Sequence, residues 1–151
     1  NILKINLFFI LMPKKLFIIA FDIGGVIFSG GNDNNIFSKK YLETELTAGI
    51  YNVITELSKD ENNKLIIISK AFPTNAKKSK EILKMYGLDD YFNSIIFCEK
   101  PESKFEIAKA MNVDVMIDDK ETVLNHFDKS IKTILFKENE IGSLIYKIYN
   151  K

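Results

Sequence analysis

The sequence predicts an α/β protein in which a parallel sheet of five strands is covered by helices on both faces. Three observations carry this expectation. Short apolar runs recur at 16–21, 64–68, 94–98, 113–117 and 131–136. They are apolar almost throughout rather than alternating, which is the pattern of strands buried on both faces. Between them lie segments with apolar residues at helical spacing, and strict alternation of strand and helix implies crossover connections and parallel strands.

The first run, Leu16 to Phe21, ends abruptly in Asp22, followed by Gly24 and Gly25. An acid at the C-terminal end of a parallel strand stands at the mouth of the sheet, where such folds bind ligands. Residues 29–35 are rich in Gly, Asn and Ser and read as a loop. Leu42, Leu46, Ile50, Val53, Ile54 and Leu57 have helical spacing, predicting a helix over about 43–58. The next helix is expected over 76–86, capped by Thr74 or Asn75, with its lysines on a solvated face and Gly87 ending it. Further helices are expected from Ser103 to about Met111, over 121–127 and over 140–149.

The chain has 151 residues and a formal net charge of +1. That length suits one domain with a substantial core. The balanced charge argues against a dedicated nucleic-acid surface. The single cysteine, Cys98, excludes an internal disulfide and fits a reducing, cytoplasmic setting. Cys98 follows an apolar run and reads as a packed strand residue. The apolar stretch 2–12 is too short to span a bilayer. The expectation is that Met12 opens a single domain over 12–151, preceded by an extension over 1–11.

The polar residues at the strand ends form a constellation: Asp22 after the first strand, Ser69 and Lys70 after the second, Lys100 after the third, Asp118 and Asp119 after the fourth. In a parallel sheet these ends share one edge. Two carboxylates about 5 Å apart repel by about 3 kcal/mol at an effective dielectric near 20. A hard cation such as Mg²⁺ relieves that repulsion, and a cation beside a lysine and a hydroxyl suits phosphate oxygens. Simpler roles exist for each residue: Ser69 as a strand end, Lys100 as a solvated helix-start lysine, Asp118 and Asp119 as a helix cap.

Taken together, these stretches resemble the haloacid dehalogenase-like (HAD) hydrolases. The family's first motif, Asp-x-Asp-Gly-(Thr/Val) after an apolar strand, is similar to Asp22-Ile23-Gly24-Gly25-Val26. Its strand ending in Ser or Thr resembles 65–69, its lysine resembles Lys100-Pro101, and its acidic strand end resembles 115–119. The resemblance covers residues 16–136 and implies a three-layer, Rossmann-like sheet of order 5-4-1-2-3. It implies a Mg²⁺-dependent phosphatase in which Asp22 becomes an aspartyl phosphate. Ser69 would bind phosphoryl oxygens, and Lys100 would neutralise charge. Asp119, with Asp118, Asp22 and the Gly24 carbonyl, would hold the metal. The implied partner is a small phosphorylated compound, such as a nucleotide or sugar phosphate; the acidic pair is similar to that of deoxyribonucleotidase-like members.

One position departs from the pattern. The family's second Asp, its general acid/base, is Gly24 here. This implies slow turnover, a leaving group that needs little protonation, a replacement acid such as Asp33, Glu43 or Glu45, or a degenerate site that binds without turnover. His126, the one histidine, reads as a half-buried helix residue. The spacing leaves no room for an inserted cap domain, so the site is expected to be open unless the 29–45 segment covers it.

Overall fold

A computed structural model describes residues 15–30 and 35–150. The expected extension over 1–11 lies outside the described residues. The strands are β1 (Phe17–Phe21), β2 (Asn63–Lys70), β3 (Ser94–Cys98), β4 (Val115–Asp118) and β5 (Lys132–Leu135). They form a single parallel sheet of order β3-β2-β1-β4-β5. This is the expected order read from the other edge, with the Asp22 strand central.

Side-chain alternation along the strands divides the core in two. Ile19, Phe21, Leu65, Ile67, Val115 and Ile117 face one cluster. There they meet α1 (Ile50–Ser58), α2 (Pro73–Met85) and the closing α5 (Leu144–Tyr149), through Ile54, Leu57, Ile82, Leu83 and Ile148. Ala20, Ile66, Ile68 and Met116 face the other cluster. That side is covered by α3 (Ser103–Ala110) and the short α4 (Glu121–Leu124), through Ala108 and Leu124. Burial of both faces of the central strands β1, β2 and β4 is why they show no polar alternation in sequence. No helix among the described residues is long and apolar enough to cross a membrane.

Helix boundaries differ from the expectation at four places: the short helix expected over 121–127 ends at Leu124, the closing helix expected over 140–149 begins at Leu144 after a 3₁₀ stretch at Glu138–Ser143, and two others shift their starts. The helix expected from about residue 43 begins at Ile50. The preceding segment is claimed by the chain that follows Asp22: Phe28 bridges Leu46, Ser29 N–H donates to Glu45 C=O at 2.9 Å, and Thr47 N–H donates to Ile27 C=O at 2.9 Å. These non-local bonds engage the Glu45 carbonyl and the Thr47 amide outside any helix. Short 3₁₀ turns at Asn35–Phe37 and Tyr41–Glu43 occupy the rest. The helix expected from Ala76 begins instead at Pro73, whose fixed φ and missing N–H suit a first helical position. Gly87 ends that helix as expected, at φ +66°.

Thr47 is buried, and its hydroxyl has no hydrogen-bond partner among the described residues. Thr47→Val keeps the shape and removes the unsatisfied group, so it is expected to raise unfolding free energy by about 1 kcal/mol. Urea denaturation of the two proteins measures this.

Candidate active site

The register of the sheet builds the site. Ala20 pairs with Met116, and both face the α3 side. Two residues further along, on the same side, come Asp22 and Asp118. Asp22 is anchored by its backbone N–H to Ile117 C=O at 2.9 Å. On the neighbouring strand Ser69 donates its hydroxyl to Asp22 Oδ1 at 2.7 Å. Asp22, Ser69 and Asp118 are all buried.

The cation that meets these acids is Lys104, not Lys100. Lys100 is exposed in the turn before α3 and does not line the cavity. Lys104 sits in the first turn of α3 and points under the sheet edge. Its Nζ lies 3.0 Å from Asp22 Oδ1 and 2.6 Å from Asp118 Oδ2. The physical reason lies in helix phase. Lys104 shares a stripe with Ile107, Ala108 and Met111, so it faces the core while Lys100 precedes the helix. A lysine on the apolar stripe of an amphipathic helix is the sequence signal that would have identified it. Burial works against its charge, but Asp22 and Asp118 outweigh that and hold its pKa above the ordinary lysine value.

Asp118 has both oxygens engaged, Oδ2 by Lys104 and Oδ1 by the Lys120 N–H at 2.9 Å. Burial, and then the charge of Asp22, push its carboxyl up. Asp119 is different. Its Oδ1 is buried and has no hydrogen-bond partner among the described residues. Burial, then the charges of Asp22 and Asp118, push its pKa up to about 6. Gly25, at φ +76°, passes so close that a Cβ there would lie 2.2 Å from Asp119 Oδ2. Only glycine permits both that backbone conformation and that approach. Asp22, Asp118 and Asp119 each offer an oxygen within 4.8 Å of the others. An unpartnered buried carboxylate oxygen among crowded acids is the chemistry of a hard-cation site, so these three acids could hold a metal ion.

The cluster opens into a cavity of about 430 Å³. It is not simply open. Ile36, Phe37 and Thr44 form one wall, and Phe72, Asn75 and Ser79 of α2 and its approach form the next. The wall is tied down. Lys78 donates to the carbonyls of Ile36 and Ser38 at 3.1 and 3.3 Å, Tyr86 donates its hydroxyl to Thr44 C=O at 2.8 Å, and Tyr41 donates to Glu81. Lys78 therefore does not belong to a solvated face. At the other end, Glu138 Oε1 accepts from Ser29 Oγ at 3.0 Å and from Gly30 N–H at 2.8 Å.

Gly24 lines the cavity, is exposed, and has nothing within 4 Å of where a Cβ would stand. Glu43 and Glu45 are exposed and do not line the cavity, and Asp33 lies outside the described residues. His126 is exposed in the turn after α4 rather than half-buried within a helix, because α4 ends at Leu124. Cys98 is half-buried, and burial pushes its thiol up, in keeping with a packed strand residue.

Two outcomes follow from this electrostatic arrangement. Lys104→Met leaves two buried carboxylates uncompensated and is expected to cost about 3–5 kcal/mol of stability, whereas Lys100→Ala is expected to change stability by less than about 0.5 kcal/mol; chemical denaturation reads both. Asp119 binds its proton more tightly in the folded than in the unfolded chain, so metal-free stability is lost as pH rises from about 3.8 to about 6. Asp119→Asn is expected to gain about 1–2 kcal/mol at pH 7, after discounting for a half-exposed residue, and nothing near pH 4. Thermal melts in chelator across that range test it.

No protein-family model and no curated protein sequence matches the chain. Solved structures do. Two structures of the Pnkp1/Rnl/Hen1 RNA repair complex match with TM-scores of 0.59 and 0.63, each at 14% identity, over 80% and 83% of this chain. The chain spans only 42% and 47% of the chains it matches there. A haloacid dehalogenase-like family hydrolase from Xanthomonas campestris matches with a TM-score of 0.55 at 9% identity, over 89% of this chain and 97% of that one. With the parallel sheet and the acidic cluster at its edge, the fold of this chain is that of the haloacid dehalogenase-like hydrolases.

Proposed function

We propose that the chain is a Mg²⁺-dependent phosphohydrolase acting on a phosphomonoester through an aspartyl-phosphate intermediate. One observation carries the reading: a buried carboxylate, Asp22, shares its Oδ1 with the Ser69 hydroxyl and the Lys104 ammonium beside the unpartnered Asp119 oxygen. Both contacts fall on Oδ1, so Oδ2 is the oxygen left to attack phosphorus. Ser69 and Lys104 hold the carboxylate in one orientation, which raises the fraction of productive encounters. Lys104 places a positive charge where phosphoryl oxygens would sit.

Asp22 and Asp119, with the Gly24 carbonyl, are the groups that would hold Mg²⁺, and Asp118 would hold Lys104 in place beside them. When bound, the metal supplies Lewis-acid charge to the phosphoryl oxygens. In the first step a bond forms from Asp22 Oδ2 to phosphorus and the ester P–O bond breaks. The leaving oxygen takes the electron pair and, where it needs one, a proton from water. In the second step water attacks phosphorus, the Asp22–phosphorus bond breaks, and phosphate and a proton leave. No side chain at Gly24 assists either proton transfer.

A second reading, binding of a phosphorylated ligand or protein without turnover, is favoured by Gly24 alone. Phosphate release from a panel of monoesters separates the two. Release that requires Mg²⁺ and disappears in Asp22→Asn is expected; no release by the wild type, with inorganic phosphate still binding, supports the second reading. Because space is open at residue 24, Gly24→Asp is expected to raise kcat on alkyl esters, by up to about 10²-fold.

A further inference from the structure

Two independent features of the cavity bear on what its ester carries. The first is chemical. Among the described residues, the titratable side chains lining the cavity are Asp22, Asp119, Lys70, Lys104 and Lys120. Both acids belong to the proposed nucleophile and metal positions, and Gly24 offers no acid. An alkoxide leaving unprotonated is about as basic as hydroxide and leaves poorly. A phenolate, with a conjugate acid near 10 as in tyrosine, needs far less help.

The second feature is the wall. Phe37 is 70% exposed and Phe72 53% exposed, yet both line the same cavity as Asp22. Phe28 and Ile36 add to this apolar lining. Phe72 also carries the Lys70 ammonium 5.5 Å from its ring centroid. Two solvent-facing aromatic rings on a cavity much larger than a phosphoryl group are surfaces that a planar apolar group would cover.

Resting on the phosphohydrolase reading, we infer that the substrate is an aryl phosphomonoester. Its ring lies against Phe37 and Phe72, and its phenolate leaves without a protein acid. The ring supplies binding, and the stability of the phenolate replaces the acid that Gly24 lacks. The bond that breaks is the one between phosphorus and the phenolic oxygen. The electron pair stays on that oxygen, and water protonates it afterwards.

The test compares phenyl phosphate, benzyl phosphate and ethyl phosphate. Benzyl phosphate keeps the ring but leaves as an alkoxide, so it isolates the leaving-group effect. Phenyl phosphate is expected to exceed benzyl phosphate in kcat/KM by about 10²-fold or more, the lower range of general acid assistance. Gly24→Asp is expected to shrink that ratio by raising the benzyl rate more than the phenyl rate. Phe37→Ala and Phe72→Ala are expected to raise KM for phenyl phosphate about 3- to 10-fold more than for ethyl phosphate, the worth of one aromatic contact. Equal rates on phenyl and benzyl esters, or equal KM changes on phenyl and ethyl esters, overturn the inference while leaving the phosphohydrolase intact. Failure of all three esters, with or without Mg²⁺, overturns both.

Discussion

The Lys104 ammonium, held between Asp22 and Asp118, is the interaction on which the site depends. All three side chains are almost wholly out of water, with the lysine at 3% and the aspartates at 8% and 0% exposure. Each charge alone would be expensive to bury. Together they are tolerable only in one geometry, which needs β1 and β4 adjacent and α3 packed beneath them. The sheet register therefore sets the chemistry: the same pairing that aligns Ala20 with Met116 aligns the two acids two residues on.

Asp119 completes this arrangement by being left out of it. It is the acid whose buried oxygen Lys104 does not reach and whose other oxygen is pressed against Gly25. The three acids are thus divided by neighbourhood. Asp22 is oriented by a hydroxyl and an ammonium, Asp118 is saturated by an ammonium and an amide, and Asp119 keeps a buried oxygen with no hydrogen-bond partner among the described residues. Identical side chains acquire different capacities because their surroundings differ, not because their positions in sequence announce it.

The segment between Asp22 and α1 shapes the space above these groups. It was expected as a loop followed by a long helix. It forms instead a wall built from 3₁₀ turns and latched to α2 by Lys78, Tyr86 and Tyr41. Those latches are side chains reaching backbone carbonyls and a carboxylate some forty residues away. No local periodicity encodes such bonds, and the helical spacing of Leu42 and Leu46 was outweighed by pairing with residues 27–29. The same wall brings Phe37 to the cavity that Phe72 also lines.

The sequence by itself determined the layered parallel sheet and the edge on which Asp22, Ser69, Asp118 and Asp119 gather. Uninterrupted apolar runs must be buried on both faces, and parallel strands deliver their C-terminal residues to one side. Tertiary structure decided which lysine enters the site. The choice between Lys100 and Lys104 turns on where a helix begins and which face it buries, a matter of rotation about the helix axis rather than of distance along the chain. It also decided that Gly25 must be glycine and that Gly24 need not be. The first is pressed against a carboxylate from another strand, and the second faces empty space.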